Sequence, residues 1–184
     1  MNPESKVVEV RLNKWAVNLW GALLTILCSA VGIALARLLP HRIASVEWHL
    51  NVLLVALIVL VPVHEAIHAL GLVKFANVAW RDIRFGMMWR CLTPYCHCKV
   101  PVRVGPFRRM ALLPLWVTGA MSVTALVIYP TEALGVLAGV TIAACAGDVW
   151  VAAKLKCFAD GSLVKDCPSD IGCDVYSPIP ETTT

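Results

Sequence analysis

The chain has 184 residues, of which 59% are hydrophobic and only 15% are charged, and its mean hydropathy is +0.73. This apolar excess excludes an ordinary soluble domain. The formal net charge of +4 gives no reason to expect a nucleic-acid partner. The apolar composition instead predicts that the partner is the lipid bilayer.

Four apolar stretches are long enough to cross a bilayer, whose core needs about 20 apolar residues per helix. They are residues 15–39, 48–72, 110–129 and 134–153. The first could be a cleaved signal peptide, but its apolar run exceeds the 7–15 residues of a signal core. We therefore expect an all-α membrane protein with about four transmembrane helices. It would comprise an N-terminal segment (1–14), a membrane domain (15–153) and a tail (154–184).

Basic residues are placed asymmetrically between the loops. Fourteen of the sixteen lysines and arginines lie in the N-terminal segment, in the loop 73–109 and in the tail, whereas only Arg37 and Arg42 lie around the loop that joins the first two spans. The positive-inside rule then places both termini and the long loop in the cytoplasm. We expect a multi-pass protein of a bacterial inner (plasma) membrane, with an oligomeric state that the sequence leaves open.

The loop between spans two and three shows a strand pattern. Residues 83–91 and 96–104 alternate between apolar and polar side chains on either side of Thr93-Pro94. Such alternation around a turn predicts a short cytoplasmic β-hairpin within residues 77–105. Pro101 cannot donate to a ladder, so its strand should lie at an edge. After the last span, we expect residues 177–184 to be disordered.

The second span contains the sequence His64-Glu65-Ala66-Ile67-His68. Residues four apart share one face of a helix, so both imidazoles can reach one metal ion, and the glutamate beside them can take a proton from water. Each ionisable residue inside a span costs about 2–3 kcal/mol or more, a cost that usually marks function. The motif therefore predicts a zinc site with Glu65 as the catalytic base.

A catalytic zinc site needs a third protein ligand and an open position. Asp148 is the only carboxylate inside the other three predicted spans, and its depth matches that of His68. It is therefore the best candidate, although an aspartate paired with a neighbouring helix is the alternative. Asp166 is the first reserve candidate, followed by His97 and Asp82.

Several other features are weaker signals. A small-residue stripe on span four, formed by Gly135, Gly139, Ala143 and Gly147, should let another helix approach closely. Prolines in spans two and three, Pro62 and Pro114, should perturb their helices. A second, structural zinc site would use Cys91, Cys96, His97 and Cys98, but their spacing lacks the paired rhythm of such sites.

Together these residues resemble a family of small bacterial membrane zincin peptidases that is distantly similar to site-2 (intramembrane) metalloproteases. The resemblance rests on the motif His64–His68, the hairpin, Pro114 and Gly147-Asp148, and covers residues 61–176. It implies Zn²⁺ bound by His64, His68 and Asp148, with Glu65 as base, and a membrane-protein or peptide substrate. Site-2 proteases carry their third ligand in an Asn-Pro…Leu-Asp-Gly context, which Gly147-Asp148 lacks.

The function that we expect is therefore zinc-dependent hydrolysis of peptide bonds in or near the membrane. Two alternatives use the same residues differently. A membrane metal-binding or transport protein would need the ligands but not Glu65 as a base. A non-catalytic membrane interaction protein derived from a protease would hold no stoichiometric metal.

Overall fold

A computed structural model describes the chain at residues 6–40, 50–89, 93–167 and 172–177. The helices in these ranges are α1 (Lys14–Leu38), α2 (Leu50–Ala76), α3 (Val104–Pro114), α4 (Ala120–Ile128), α5 (Glu132–Ala144) and α6 (Ala146–Lys154). The strands are β1 (Lys6–Arg11), β2 (Ile83–Met88), β3 (Thr93–Cys98), β4 (Val102–Arg103), β5 (Leu163–Asp166) and β6 (Gly172–Ser177). Of the segment 177–184 that was predicted to be disordered, Ser177 ends β6. The remaining residues, 178–184, lie outside the described residues, as does Cys91 of the second zinc site.

Four helical segments are long and apolar enough to cross a membrane, as predicted. They are Trp15–Leu38, Leu53–Ala76, Val104–Ile128 and Glu132–Cys157. The third begins at Val104 rather than at residue 110, because the helix starts directly after β4 and buries Val104 and Phe107 despite the arginines that follow. Pro106 is tolerated there because the first turn of a helix needs no donor.

The third and fourth spans are each interrupted. After Pro114 the helix widens into a π-helical segment, Leu115–Gly119, in which the Thr118 hydroxyl donates to the Pro114 carbonyl over 2.8 Å. The fourth span breaks at Cys145, whose φ and ψ of −80° and 0° separate α5 from α6. Such irregularities in membrane helices are frequent at functional sites, and the second one precedes Asp148 by three residues.

The small-residue stripe on span four packs against α1. A Cβ atom on Gly135 would meet the backbone of Gly32, and one on Gly139 would meet the backbone of Cys28 and Ser29. The two helices therefore approach at distances that only glycine permits, as the stripe predicted.

A four-stranded antiparallel sheet corrects the all-α prediction. Its strand order is β1-β6-β5-β4, so the two strands of the tail lie between the N-terminal strand and the strand that precedes the third span. Val10 opposes Cys173 and Val164 opposes Val175, and all four side chains are buried. The sheet was missed because its strands are short and because β1 and β4 pair with strands that lie far away in sequence.

The predicted hairpin exists, but its second strand is shorter than expected. Strands β2 and β3 pair in register from Ile83 opposite Cys98 to Met88 opposite Thr93. The chain leaves the ladder before Pro101, and Val102–Arg103 then pairs with β5 at the edge of the other sheet. Pro101 therefore lies in the connection between β3 and β4 instead of within an edge strand.

Candidate metal centre

The two histidines of the motif lie on one face of α2, where the helical spacing predicted them. Their Nε2 atoms are 3.1 Å apart, and their rings meet edge to face with centroids 4.8 Å apart. The His68 side chain is 9% exposed and that of His64 is 13% exposed. Two nitrogen donors thus converge within the membrane span.

Asp148 reaches the same point from the first turn of α6. Its Oδ2 atom lies 3.1 Å from His64 Nε2, and its Oδ1 atom lies 3.4 Å from His68 Nε2. The second and fourth spans therefore place these side chains at the same level, as the positions of His68 and Asp148 in their spans predicted. Of the candidates that the sequence offered for a third ligand, this is the one that lies beside both histidines.

The donor set fits a zinc ion. A tetrahedral ion with bonds of about 2.0–2.1 Å needs ligand atoms separated by about 3.3 Å. The closest separations among His64, His68 and Asp148 are 3.1–3.4 Å, and their possible ligand atoms all lie within 4.8 Å of one another. Two imidazoles and one carboxylate also form a donor set that catalytic zinc sites use.

A backbone carbonyl on span three fixes the orientation of His68. His68 Nδ1–H donates to the Met110 carbonyl over 3.3 Å, which leaves Nε2 as the lone-pair nitrogen that faces Asp148. Gly71 makes this contact possible, since a Cβ there would lie 3.1 Å from the Met110 Cα. The absence of a side chain at Gly71 therefore lets α3 approach α2 at the level of the site.

Glu65 lies next to the histidines on the wall of the same cavity, and its carboxylate faces the backbone N–H of Cys96 in β3. The second strand of the hairpin, β3, therefore lies beside the metal centre. The sequence could not predict this contact, because any residue at position 96 except proline would supply the same N–H group.

A cavity of about 660 Å³ surrounds the site, large enough for an extended peptide segment. Its wall includes the His64–His68–Asp148 group and Glu65, and most of the remaining lining is apolar. Hydroxyl and amide groups of Asn18, Thr118 and Thr141 also line it. These three positions were not singled out from the sequence, because lone polar side chains in apolar helices usually serve packing.

The reserve candidates lie elsewhere. Asp166 and His97 line the cavity, but they pair with each other, with His97 Nδ1 3.0 Å from Asp166 Oδ2. Asp82 is in a short helical turn before β2, beside the guanidinium of Arg81. Among the described residues, neither aspartate belongs to a group that could hold an ion.

The cysteines of the hairpin do not assemble a second zinc site in the described part of the chain. Burial, with smaller contributions from the Glu65 and Asp166 carboxylates, raises the pKa of the Cys96 thiol to about 12. Burial also raises the pKa of the Cys98 thiol. Both thiols are therefore protonated at neutral pH, with Cys98 buried and Cys96 partly buried.

Comparison with known proteins agrees with this geometry. A family model described as "Putative zincin peptidase" matches residues 57–163, which is more than half of the chain and includes all three members of the candidate metal group. None of the curated proteins and none of the solved structures that were compared matches the chain. The family implies a metallopeptidase and zinc as its metal, both in keeping with the donor set found between α2 and α6. The chain therefore belongs to the zincin peptidase family.

Proposed function

We propose that this protein is a zinc-dependent intramembrane metallopeptidase that hydrolyses peptide bonds in or near the bilayer. The observation that carries the proposal is the convergence of His64, His68 and Asp148 beside Glu65, inside helices that are apolar enough to span a membrane. A buried carboxylate and two buried imidazoles at such a place need a cation to compensate their cost.

Each residue has a defined task in this proposal. His64, His68 and Asp148 would hold zinc, which as a Lewis acid would activate water and polarise a peptide carbonyl. Glu65 would take the proton from the attacking water at its carboxylate and pass it to the leaving amine. The Met110 carbonyl would keep His68 in the tautomer that binds through Nε2, and the apolar cavity would exclude bulk water.

The substrate class follows from the location of the site. A peptide in the hydrocarbon region has its backbone groups paired within a helix, so a segment must be unwound before its carbonyl can enter the cavity. We infer that both termini and the hairpin face the cytoplasm of a bacterial cell, which places the site toward the inner side of the membrane. The distribution of basic residues supports this orientation.

The test is Glu65→Gln in purified protein loaded with zinc. We expect cleavage of fluorescein-labelled casein, used as an unfolded probe, to be abolished, while about one zinc per chain remains, because the base is not a ligand. The matched control is Glu132→Gln, which alters an exposed glutamate paired with Arg37 and should change neither quantity.

Other outcomes would select other functions. Cleavage by Glu65→Gln at the wild-type rate would refute the mechanism. Tight zinc binding without any cleavage by the wild type would favour a metal-binding or transport protein. A wild-type protein that holds no stoichiometric zinc would favour a non-catalytic interaction protein.

A further inference from the structure

Two carboxylates lie along the outer edge of β3. In an antiparallel pair, alternate residues direct their N–H groups away from the partner strand, toward the same edge. Cys96 and Cys98 are two such residues: the Cys98 N–H donates to Asp166 Oδ2 over 3.2 Å, and the Cys96 N–H faces the Glu65 carboxylate. Pro94 has the same phase and has no N–H to offer the ladder. The Cys96 and Cys98 amides are about 7 Å apart along the strand, the length of two residues.

Asp166 is fully engaged with the protein. Its Oδ2 atom accepts from Cys98 N–H and from His97 Nδ1–H at 3.0 Å, and its Oδ1 atom accepts from the Cys167 N–H at 3.0 Å. The residue itself is anchored in β5, where it opposes the fully buried Cys173 of β6. Asp166 thus connects the four-stranded sheet to the hairpin.

We propose that Asp166 is a positioning residue for the reaction. By holding β3 through the Cys98 amide and the His97 ring, it fixes the place of the Cys96 amide and, through that amide, the place of the Glu65 carboxylate. This inference rests on the proposed function, because it assigns Glu65 the role of the base. The tail would then support the catalytic centre through Asp166, which does not bind the metal itself.

The first experiment compares Asp166→Ala with Asp160→Ala. Asp160 is a matched control, since it is an exposed aspartate in the same cytoplasmic region, paired with Arg108. In Asp166→Ala we expect kcat for labelled casein to fall about 10–100-fold, the usual effect of losing a supporting contact, with KM within about twofold and zinc content unchanged. Hydrogen exchange at the Cys96 and Cys98 amides should accelerate together. Asp160→Ala should alter none of these quantities.

The second experiment removes the amide itself. Cys96→Pro deletes the N–H that faces Glu65 but leaves the contacts of Asp166, and Pro94 shows that this phase of β3 accepts proline. We expect the same loss of kcat, with the Cys98 amide still protected. In the double variant, Cys96→Pro with Asp166→Ala, kcat should then fall by less than about a further twofold, because both changes act through the same contacts. If Asp166 had only a structural role, the kcat losses of the two single variants would multiply in the double variant.

The outcomes separate this inference from the proposed function. Absence of casein cleavage by the wild type would refute both. Wild-type cleavage that Asp166→Ala leaves at full kcat, loss of zinc in Asp166→Ala, or unchanged exchange at Cys96 would refute the positioning role alone. If Asp166→Ala does not assemble, Asp166→Asn takes its place, because it keeps one acceptor oxygen and should show a smaller loss of kcat.

Discussion

The chemistry of this protein is concentrated in a few side chains whose burial would be unfavourable if they stood alone. His64, His68 and Asp148 lie within apolar spans, where each ionisable group costs about 2–3 kcal/mol or more. Grouping them lets each offset the cost of the others, and a bound cation would offset it further. The groups around them, the Met110 carbonyl and the Cys96 amide, are parts of the backbone.

Gly71 offers a residue-scale prediction about this support. A Cβ at Gly71 would lie 3.0–3.2 Å from Met110, so Gly71→Ala should push α3 outward and lengthen the bond from His68 to the Met110 carbonyl. We expect zinc affinity, measured by competition with a chelating dye, to fall about tenfold. Gly21→Ala is the control, because the space beside Gly21 is open. An affinity equal to that of the wild type would show that this carbonyl does not matter.

At the scale of residues, the sequence predicted the side chains of the site but not the backbone groups that contact them. Asp148 could be found because an ionisable group inside a span needs a partner, and few residues could supply one. Asp166 was identified as a reserve ligand, but the structure gives both its oxygens to protein donors. Its hydrogen bonds with the hairpin depend on a pairing of distant strands that no residue type reveals.

At the scale of elements, local patterns were predictable and long-range pairing was not. The four apolar runs and the hairpin each lie within one stretch of chain, so hydropathy and alternation identified them. Strands β1 and β6 are separated by nearly the whole chain, and only the fold brings Arg11 of one beside Asp174 of the other. The interruption at Cys145 was also unpredicted, because Ala, Cys and Gly continue a membrane helix as readily as they end one.

At the scale of the whole molecule, one sheet joins the N-terminal segment, the strand before span three and the tail. Because β1, β4, β5 and β6 are hydrogen-bonded to one another, the N-terminal strand, the strand before span three and the tail must lie on the same side of the four spans. An even number of spans satisfies this requirement. The distribution of the basic residues predicts that this side is the cytoplasmic one.

Reporter fusions test this arrangement. Fusions at Thr184 and within residues 73–109 should report a cytoplasmic location, and a fusion at Glu132 should report an external one, since the chain crosses the bilayer an odd number of times between Glu132 and either of the others. The measurement is the activity of a reporter that functions on one side of the membrane only. A cytoplasmic result at Glu132 would overturn the four-span arrangement.

The central claim is that zinc binds to His64, His68 and Asp148, and the most direct measurement is zinc content after mild chelation. Asp148→Asn keeps the shape of the side chain but removes the charge that balances the ion, so its zinc should be lost. The wild type and Asp166→Asn should each retain about one zinc per chain, the stoichiometry of a single catalytic site. Zinc retained by Asp148→Asn and lost by Asp166→Asn would contradict the account and transfer the third ligand to the tail.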